Sequence, residues 1–449
     1  MSSMISNILS ILPTWLKPFR SETIQNATPL SIDQPIDEET VPGYDSTEYC
    51  PVCPGDVFHD RYKMVAKVGW GGSSTVWLAR DIKRHIFQRP RFVAVKVHNS
   101  GGGNSTDAAE ERSLEEYIAL RNRQHQGHAF IRTHIDAFEV PGLGRWHLCL
   151  VYEPMREPIW QLRQRFPGGR FPPALVKAYY FILLHGLDYI HSECGVVHTD
   201  LKLENILVSC ENPATIKQFA EKQMKCGMQR KIDSTGRAVY LSVGDFGALN
   251  IGSLRLLVPV ITDFGHAQRL PSGASGFAAI QPDQYRAPEV ILGCGWTYSA
   301  DIWNLGLLMW NLLEGKDLFN QVHDDQGRYS SWIHLAEMVA VLGLPPRRLL
   351  DLSNERLNYK WQQPIENPAG ELCYRPREYF GGPFFDRKGV FLNKKLIPNY
   401  KLEDTLPSLS AEERAMFLEF GRNMLRWALE ERKTAGQLLS DPFFDWLCE

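Results

Sequence analysis

Hydrophobic positions follow two regimes along the chain. Over residues 58–97 they come in short runs between Gly-rich turns: Tyr62, Met64, Val65, Val68, Val76, Trp77 and Leu78, then Phe92 to Val97. That pattern predicts a small antiparallel sheet. Residues 107–123 carry helix formers, with Leu114, Ile118 and Leu120 predicting one buried face, and residues 146–152 predict another strand. Downstream the period turns helical, over 173–192, 299–313, 332–342 and 411–428. The expected architecture is α+β and bilobal, with a small β-rich N-terminal lobe over 58–155 and a larger, mainly helical C-terminal lobe over 156–449. A polar insert over 209–257 interrupts the second lobe.

Residues 1–57 read as an N-terminal tail and linker. Ile5, Ile8, Leu9, Leu12 and Leu16 fall near helical spacing with Lys17 and Arg20, which weakly resembles a mitochondrial presequence or membrane-surface helix. Pro13 interrupts it, so a disordered leader is expected, followed by an acidic, Pro-containing linker over 34–49. No stretch approaches about 18 consecutive apolar residues, and no transmembrane helix is expected.

Composition narrows the function classes. Of 449 residues, 44% are apolar and 22% charged, and with only 35 Gly and 28 Pro the chain is no low-complexity polymer. A net charge of −3 gives no basic surplus, so direct nucleic-acid binding is not expected. Nine scattered cysteines point to reduced thiols inside the cell. The close pair Cys50 and Cys53 lacks further ligands at zinc-site spacing and reads as a loop.

Candidate chemistry lies in motifs that handle phosphate. Gly69-Trp70-Gly71-Gly72-Ser73-Ser74-Thr75-Val76 stands between two strand patterns, where glycines let backbone N–H groups approach phosphate oxygens. Val93-Ala94-Val95-Lys96 then sets one Lys among apolar neighbours, and a buried ammonium needs an anion. Nucleotide phosphates supply one source; a carboxylate on the following helix supplies the other. Glu116 is the first candidate, because Leu120 would share its face, with Glu115 and Glu111 as alternatives.

The cluster His198-Thr199-Asp200-Leu201-Lys202-Leu203-Glu204-Asn205 combines a carboxylate able to take or orient a hydroxyl proton, a Lys able to neutralise a moving phosphoryl group, and an amide oxygen able to hold magnesium. Two Asp-Phe-Gly triplets follow. Asp263 ends an apolar run over 256–261 broken only by Pro259, which suits a buried strand, and leaves an ordinary distance to Ala287-Pro288-Glu289. Asp263 is therefore the expected partner of Asn205 in magnesium binding, and Asp245 a repeat within the insert. Arg432 is expected to pair with Glu289 as a structural ion pair.

Together these motifs resemble the protein kinases over about 58–449. Gly69-Trp70-Gly71, Ser74 to Leu78, His198-Thr199-Asp200, Gln284-Tyr285-Arg286, the insert before the second triplet and residues 334–343 are similar to the SR-protein kinases, with an insert and tail of fungal type. The resemblance implies a kinase fold and ATP- and Mg2+-dependent phosphorylation of serine in Arg/Ser-rich proteins such as splicing factors. It also implies action in cytoplasm and nucleus; separately, a monomer is expected. Glu153 and Met155 would form the hinge for adenine, with Val68, Gly69, Gly71, Val76, Ala94 and Leu207 around the nucleotide. Lys96 would position its phosphates, Asp200 and Lys202 would serve catalysis, and Asn205 and Asp263 would hold the metal. Thr199 replaces the usual arginine of the motif, which implies activity without activation-loop phosphorylation. Leu203 in place of Pro, the Ala287-Pro288 form, and Glu337 as the lone acid over 330–340 depart from the SR-protein kinases. A pseudokinase scaffold and a small-molecule kinase are the rival readings.

Overall fold

The computed structural model describes residues 30–83, 91–100, 104–142, 144–249, 251–356, 358–367 and 369–447. The helical spacing before Pro13 lies outside them. Six strands, β1 (Val57–Phe58), β2 (Tyr62–Gly71), β3 (Ser74–Asp81), β4 (Arg91–His98), β5 (Asp136–Pro141) and β6 (Trp146–Tyr152), form one antiparallel sheet in the order β1-β2-β3-β4-β6-β5. β-Branched and aromatic residues dominate these strands, and their alternation buries one face: Met64, Trp77, Val93, Val95, Cys149 and Val151 share a core. Helix α1 (Asn104–Leu120) follows β4.

The second lobe is built around helices α2 (Pro173–Asp188) and α4 (Ser299–Glu314), joined by α5 (Ser331–Leu342) and α6 (Ala411–Met424). In α4, Ala300 to Glu314 are all buried, the polar Asp301, Asn304, Asn311 and Glu314 along with the apolar majority. It stops where Gly315 adopts φ +72°, a left-handed C-terminal cap that costs glycine little. Among the described residues no helix is long and apolar enough to cross a membrane.

Two expectations about boundaries are corrected. The insert does not stay with the helical lobe. Its helix α3 (Pro213–Cys226), capped by the Asn212 side chain, buries Ile216, Phe219 and Ala220 in one cluster with Val65, Ala66, Leu78 and Phe92 of the sheet. The stretch 30–57 is not a free linker either. Lys67 of β2 is 1% exposed, and its ammonium meets Asp37 at 2.9 Å, Glu38, and the carbonyl of Tyr240 at 2.8 Å. Arg237 of the insert reaches Glu38 at 2.9 Å, and Lys231 reaches Glu39 at 2.8 Å. Buried cations demand nearby anions, so the acidic run that looked like linker composition is drawn into the lobe. Tyr49, Cys50 and Val52 are buried behind it.

Candidate active site

The turn between β2 and β3 pairs Gly71 with Ser74. A Cβ on Gly71 would meet nothing within 4 Å, so packing does not require the glycine. The tip is held by the carbonyl of Gly72, which accepts from Tyr49 Oη at 2.9 Å and from Asn99 Nδ2 at 3.1 Å. Across the sheet Val76 faces Lys96 of β4.

Lys96 Nζ donates to Glu111 Oε1 at 2.6 Å and to Asp263 Oδ1 at 2.8 Å. Glu111, one of the alternatives, thus takes the position expected for Glu116. Glu116 is solvent-facing and pairs with Arg112 at 2.9 Å on its own helix. The inward face of α1 is Ala108, Glu111, Glu115 and Ile118, while Leu120 is 72% exposed. The inner stripe differs from the expected one because it contains two acids, which hydrophobic periodicity counts as outward. Glu115, the other alternative, accepts from the N–H and Nδ1 of His134 at 2.7 and 2.8 Å and from Tyr152 Oη at 3.0 Å.

The three charges act on one another. Burial would lower the Lys96 ammonium, but Asp263 and Glu111 more than offset it and hold its pKa above the ordinary lysine value. Burial pushes the Glu111 carboxyl up despite the pull of Lys96, and Lys96 holds Asp263 well below the usual carboxylate range. One ammonium between two carboxylates leaves negative charge unbalanced, a setting that favours a further cation.

The catalytic-loop candidates converge next to it. Lys202 Nζ lies 2.8 Å from Asp200 Oδ2, and Asn205 Nδ2 donates to the Asp200 carbonyl and Oδ2, both at 2.9 Å. Sequence reasoning missed the residue that holds this loop. Asp301, fully buried at the start of α4, accepts from the N–H of His198 at 2.7 Å and of Thr199 at 3.0 Å. Thr199 sits at φ +66° and donates through Oγ1 to the His266 carbonyl at 2.7 Å, tying the loop to the segment after Asp263.

Strand Pro259–Ile261 pairs antiparallel with Ile206–Val208, which sets Asp263 and Asn205 on adjoining segments. Asp263, Asn205, Asp200, Lys202 and Lys96 all line one cavity of about 630 Å³. Its walls include Val68, Gly69, Gly71, Val76, Ala94, Met155 and Leu207. Glu153 points its side chain away to Arg91, and its carbonyl accepts from Arg132. Ser242, Gly244 and Phe246 of the insert border the same cavity, a contribution that local sequence does not signal. For magnesium the donor chemistry fits: a carboxylate and an amide oxygen, both hard ligands, with the rest left to phosphate and water. Farther out, Arg432 forms the expected pair with Glu289, two hydrogen bonds of 2.7 and 2.6 Å with both side chains fully buried. Loss of either partner leaves a buried charge and costs about 3–5 kcal/mol.

Comparison with known proteins agrees with this geometry. The protein kinase domain model matches residues 62–235 and 257–444, leaving out part of the insert. A serine/threonine protein kinase of Aspergillus fumigatus is 32% identical, covering 95% of this chain and 96% of that one. The serine/threonine-protein kinase SRPK of Physarum polycephalum is 28% identical over 91% of each chain. Protein kinase dsk1 of Schizosaccharomyces pombe is 26% identical over 92% of this chain and 85% of its own. Human SRSF protein kinase 3 is 38% identical over 39% of this chain and 31% of its own. A crystal structure of a kinase domain superposes with a TM-score of 0.62 at 20% identity, covering 89% of this chain and 99% of that one, which speaks to the fold. Given the family match across most of its length and relatives named as serine/threonine kinases, the chain belongs to the protein kinase family and is a protein serine/threonine kinase.

Proposed function

We propose that the chain transfers the γ-phosphoryl group of ATP to serine in Arg/Ser-rich proteins. The observation that carries the reading is the convergence of Lys96, Asp200, Lys202, Asn205 and Asp263 in one cavity beneath the Gly-rich turn. Lys96 orients the phosphates of the nucleotide, and the backbone around Gly69 and Gly71 approaches them closely. Asp200 accepts a hydrogen bond from the substrate hydroxyl and takes its proton, while Lys202 balances charge on the moving group. Asn205 and Asp263 would hold magnesium, which neutralises phosphate charge when bound. Val76, Ala94 and Leu207 would enclose the base, and the Met155 N–H and Glu153 carbonyl would meet its edge.

Arg/Ser-rich substrates are supported by the relatives' names and by one acid of the cavity wall. Glu204 is exposed there beside Asp200, while Asp283, half-open ahead of the Ala287-Pro288-Glu289 segment, is already paired with Arg286 at 3.0 Å. A specific observation favours a second reading, a serine/threonine kinase with other substrates. Glu337, the lone acid of 330–340, is buried, and burial pushes its carboxyl up to about 7, so it offers no exposed docking charge. Phosphorylation of an Arg-Ser repeat peptide and of a Ser-Pro peptide by the purified chain with Mg-ATP separates the two. Strong preference for the first supports the Arg/Ser assignment, and equal or reversed preference overturns it. Asp200→Asn should lower turnover by about 10²–10⁴-fold; an unchanged rate removes Asp200 from the chemistry. The direct link from Thr199 to the His266 carbonyl supports activity without loop phosphorylation. Loss of turnover after phosphatase treatment would refute that part.

A further inference from the structure

Arg132 belongs to none of the motifs, yet it stands on the inner wall of the nucleotide cavity. Its backbone N–H donates to the Ile261 carbonyl at 2.9 Å, which fixes it against the strand that delivers Asp263. Its side chain turns toward the end of β6. Nη2 and Nε donate to the main-chain carbonyl of Glu153 at 2.9 and 3.2 Å, and the guanidinium carbon lies 4.6 Å from the centre of the Tyr152 ring. Tyr152 is itself pinned from behind by Glu115.

A guanidinium carries five N–H donors. Two are engaged by Glu153, and among the described residues the others have no protein acceptor and no carboxylate pairs with the group. A cation stacked on an aromatic face and turned into a cavity without an ion-pair partner is a donor awaiting an acceptor. The edge of adenine that carries the 6-amino donor also carries N7, an acceptor, immediately beside it. A carbonyl that accepts from Arg132 and is also offered the 6-amino group brings the free guanidinium donors and N7 to the same edge. Arginine commonly recognises guanine through N7 and the neighbouring O6; adenine has a donor there instead, and here the protein's own carbonyl is the second acceptor.

We propose that Arg132 is a nucleobase-binding residue that donates a hydrogen bond to N7 of the bound purine, in addition to the hinge contacts. The inference rests on the ATP-binding reading given above. It assigns Arg132 to nucleotide affinity and base selectivity, and leaves phosphoryl transfer to the Lys96–Asp200 group.

The test is calorimetric titration of the full chain, without peptide substrate, with ATP and with 7-deaza-ATP, which replaces N7 by carbon. Both are run with Mg2+ on wild type and Arg132→Met. A hydrogen bond to a charged donor corresponds to roughly tenfold or more in affinity. Wild type is expected to bind ATP at least about tenfold more tightly than 7-deaza-ATP, and Arg132→Met to bind the two within about twofold of each other. Equal binding by wild type overturns the proposal, as does a tenfold preference that survives in Arg132→Met. If thermal unfolding shows that the variant has lost its fold, the wild-type pair of titrations decides. Failure of wild type to bind ATP at all overturns the kinase reading and this inference with it, which is distinct from ATP binding that ignores N7.

Discussion

The two Asp-Phe-Gly triplets have the same three residues and opposite fates. At Asp263 the backbone takes φ +68°, the carboxylate meets Lys96, and Phe264 is buried in the helical lobe with its ring 5.2 Å from that of His198. At Asp245 the carboxylate accepts from the N–H of Gly247 within its own turn, at 2.9 Å, and lies 3.6 Å from Arg165. Phe246 is only half-buried, packed on Phe219 of the insert helix at 4.6 Å. The difference comes from what precedes each triplet. Pro259–Ile261 is a buried strand paired with the one that follows Asn205, whereas Ala238–Tyr240 pairs with Arg230–Ile232 inside the insert and is carried onto the N-terminal lobe. A motif acquires its chemistry from the segment that delivers it.

The strongest way to break this contrast is Asp263→Asn against Asp245→Asn. The first should lower kcat/KM for peptide phosphorylation by about 10²–10³-fold through lost charge stabilisation, while the second should leave it within about twofold. Similar losses in both variants would mean that the insert triplet takes part in the chemistry.

Next in size is packing. Phe264→Ala removes a ring from a closed core and should destabilise the fold by about 3–5 kcal/mol in denaturant titrations, while Phe246→Ala should cost about 1 kcal/mol because its site opens to solvent. A reversed order would place the structural weight in the insert.

The anion around Lys96 gives a smaller contrast. Glu111→Gln removes one of the two carboxylates on Lys96 and should reduce kcat/KM roughly tenfold, one charge-assisted hydrogen bond's worth. Glu116→Gln, on the outer face, should be neutral, and kinetic assays of the pair check the corrected assignment.

The smallest effect is pH dependence of stability. Lys96 depresses the Asp263 pKa on folding, so the stabilisation is present above the unfolded-state value of about 3.9 and is lost as pH falls through the lower folded value. Melting temperatures of wild type should exceed those of Asp263→Asn near neutral pH and approach them on acidification below about pH 4. Asp245→Asn should track wild type throughout. A gap that widens toward acid would contradict the sign.

Much of the site was legible because its residues are close in sequence. The turn around Gly71, the strand that carries Lys96, and the run from His198 to Asn205 each lie on one element or loop, and an apolar run with the distance to Ala287-Pro288-Glu289 was enough to prefer Asp263. Glu111 was harder to choose. Three acids crowd α1, and a buried acid looks outward unless its cation is known. Arg132 and Asp301 gave no motif at all, since one acts by reaching under β6 and the other by accepting two backbone donors from a distant loop. The strap over 36–52 and the insert looked like solvated polar chain because the cations and apolar faces they satisfy lie far along the sequence.

By itself, then, the sequence determined the succession of a β-rich and a helical lobe, the Gly-rich turn, and the identities of Lys96, Asp200, Lys202, Asn205 and Asp263. These follow from short-range rules: side-chain period, backbone freedom at glycine, and chemistry at fixed spacing. Only the tertiary structure decided which acid meets Lys96, where the insert packs, and that Arg132 lines the same cavity. The reason is that burial of a charge is tolerable only against a partner, and partners are set by long-range packing that no local pattern encodes.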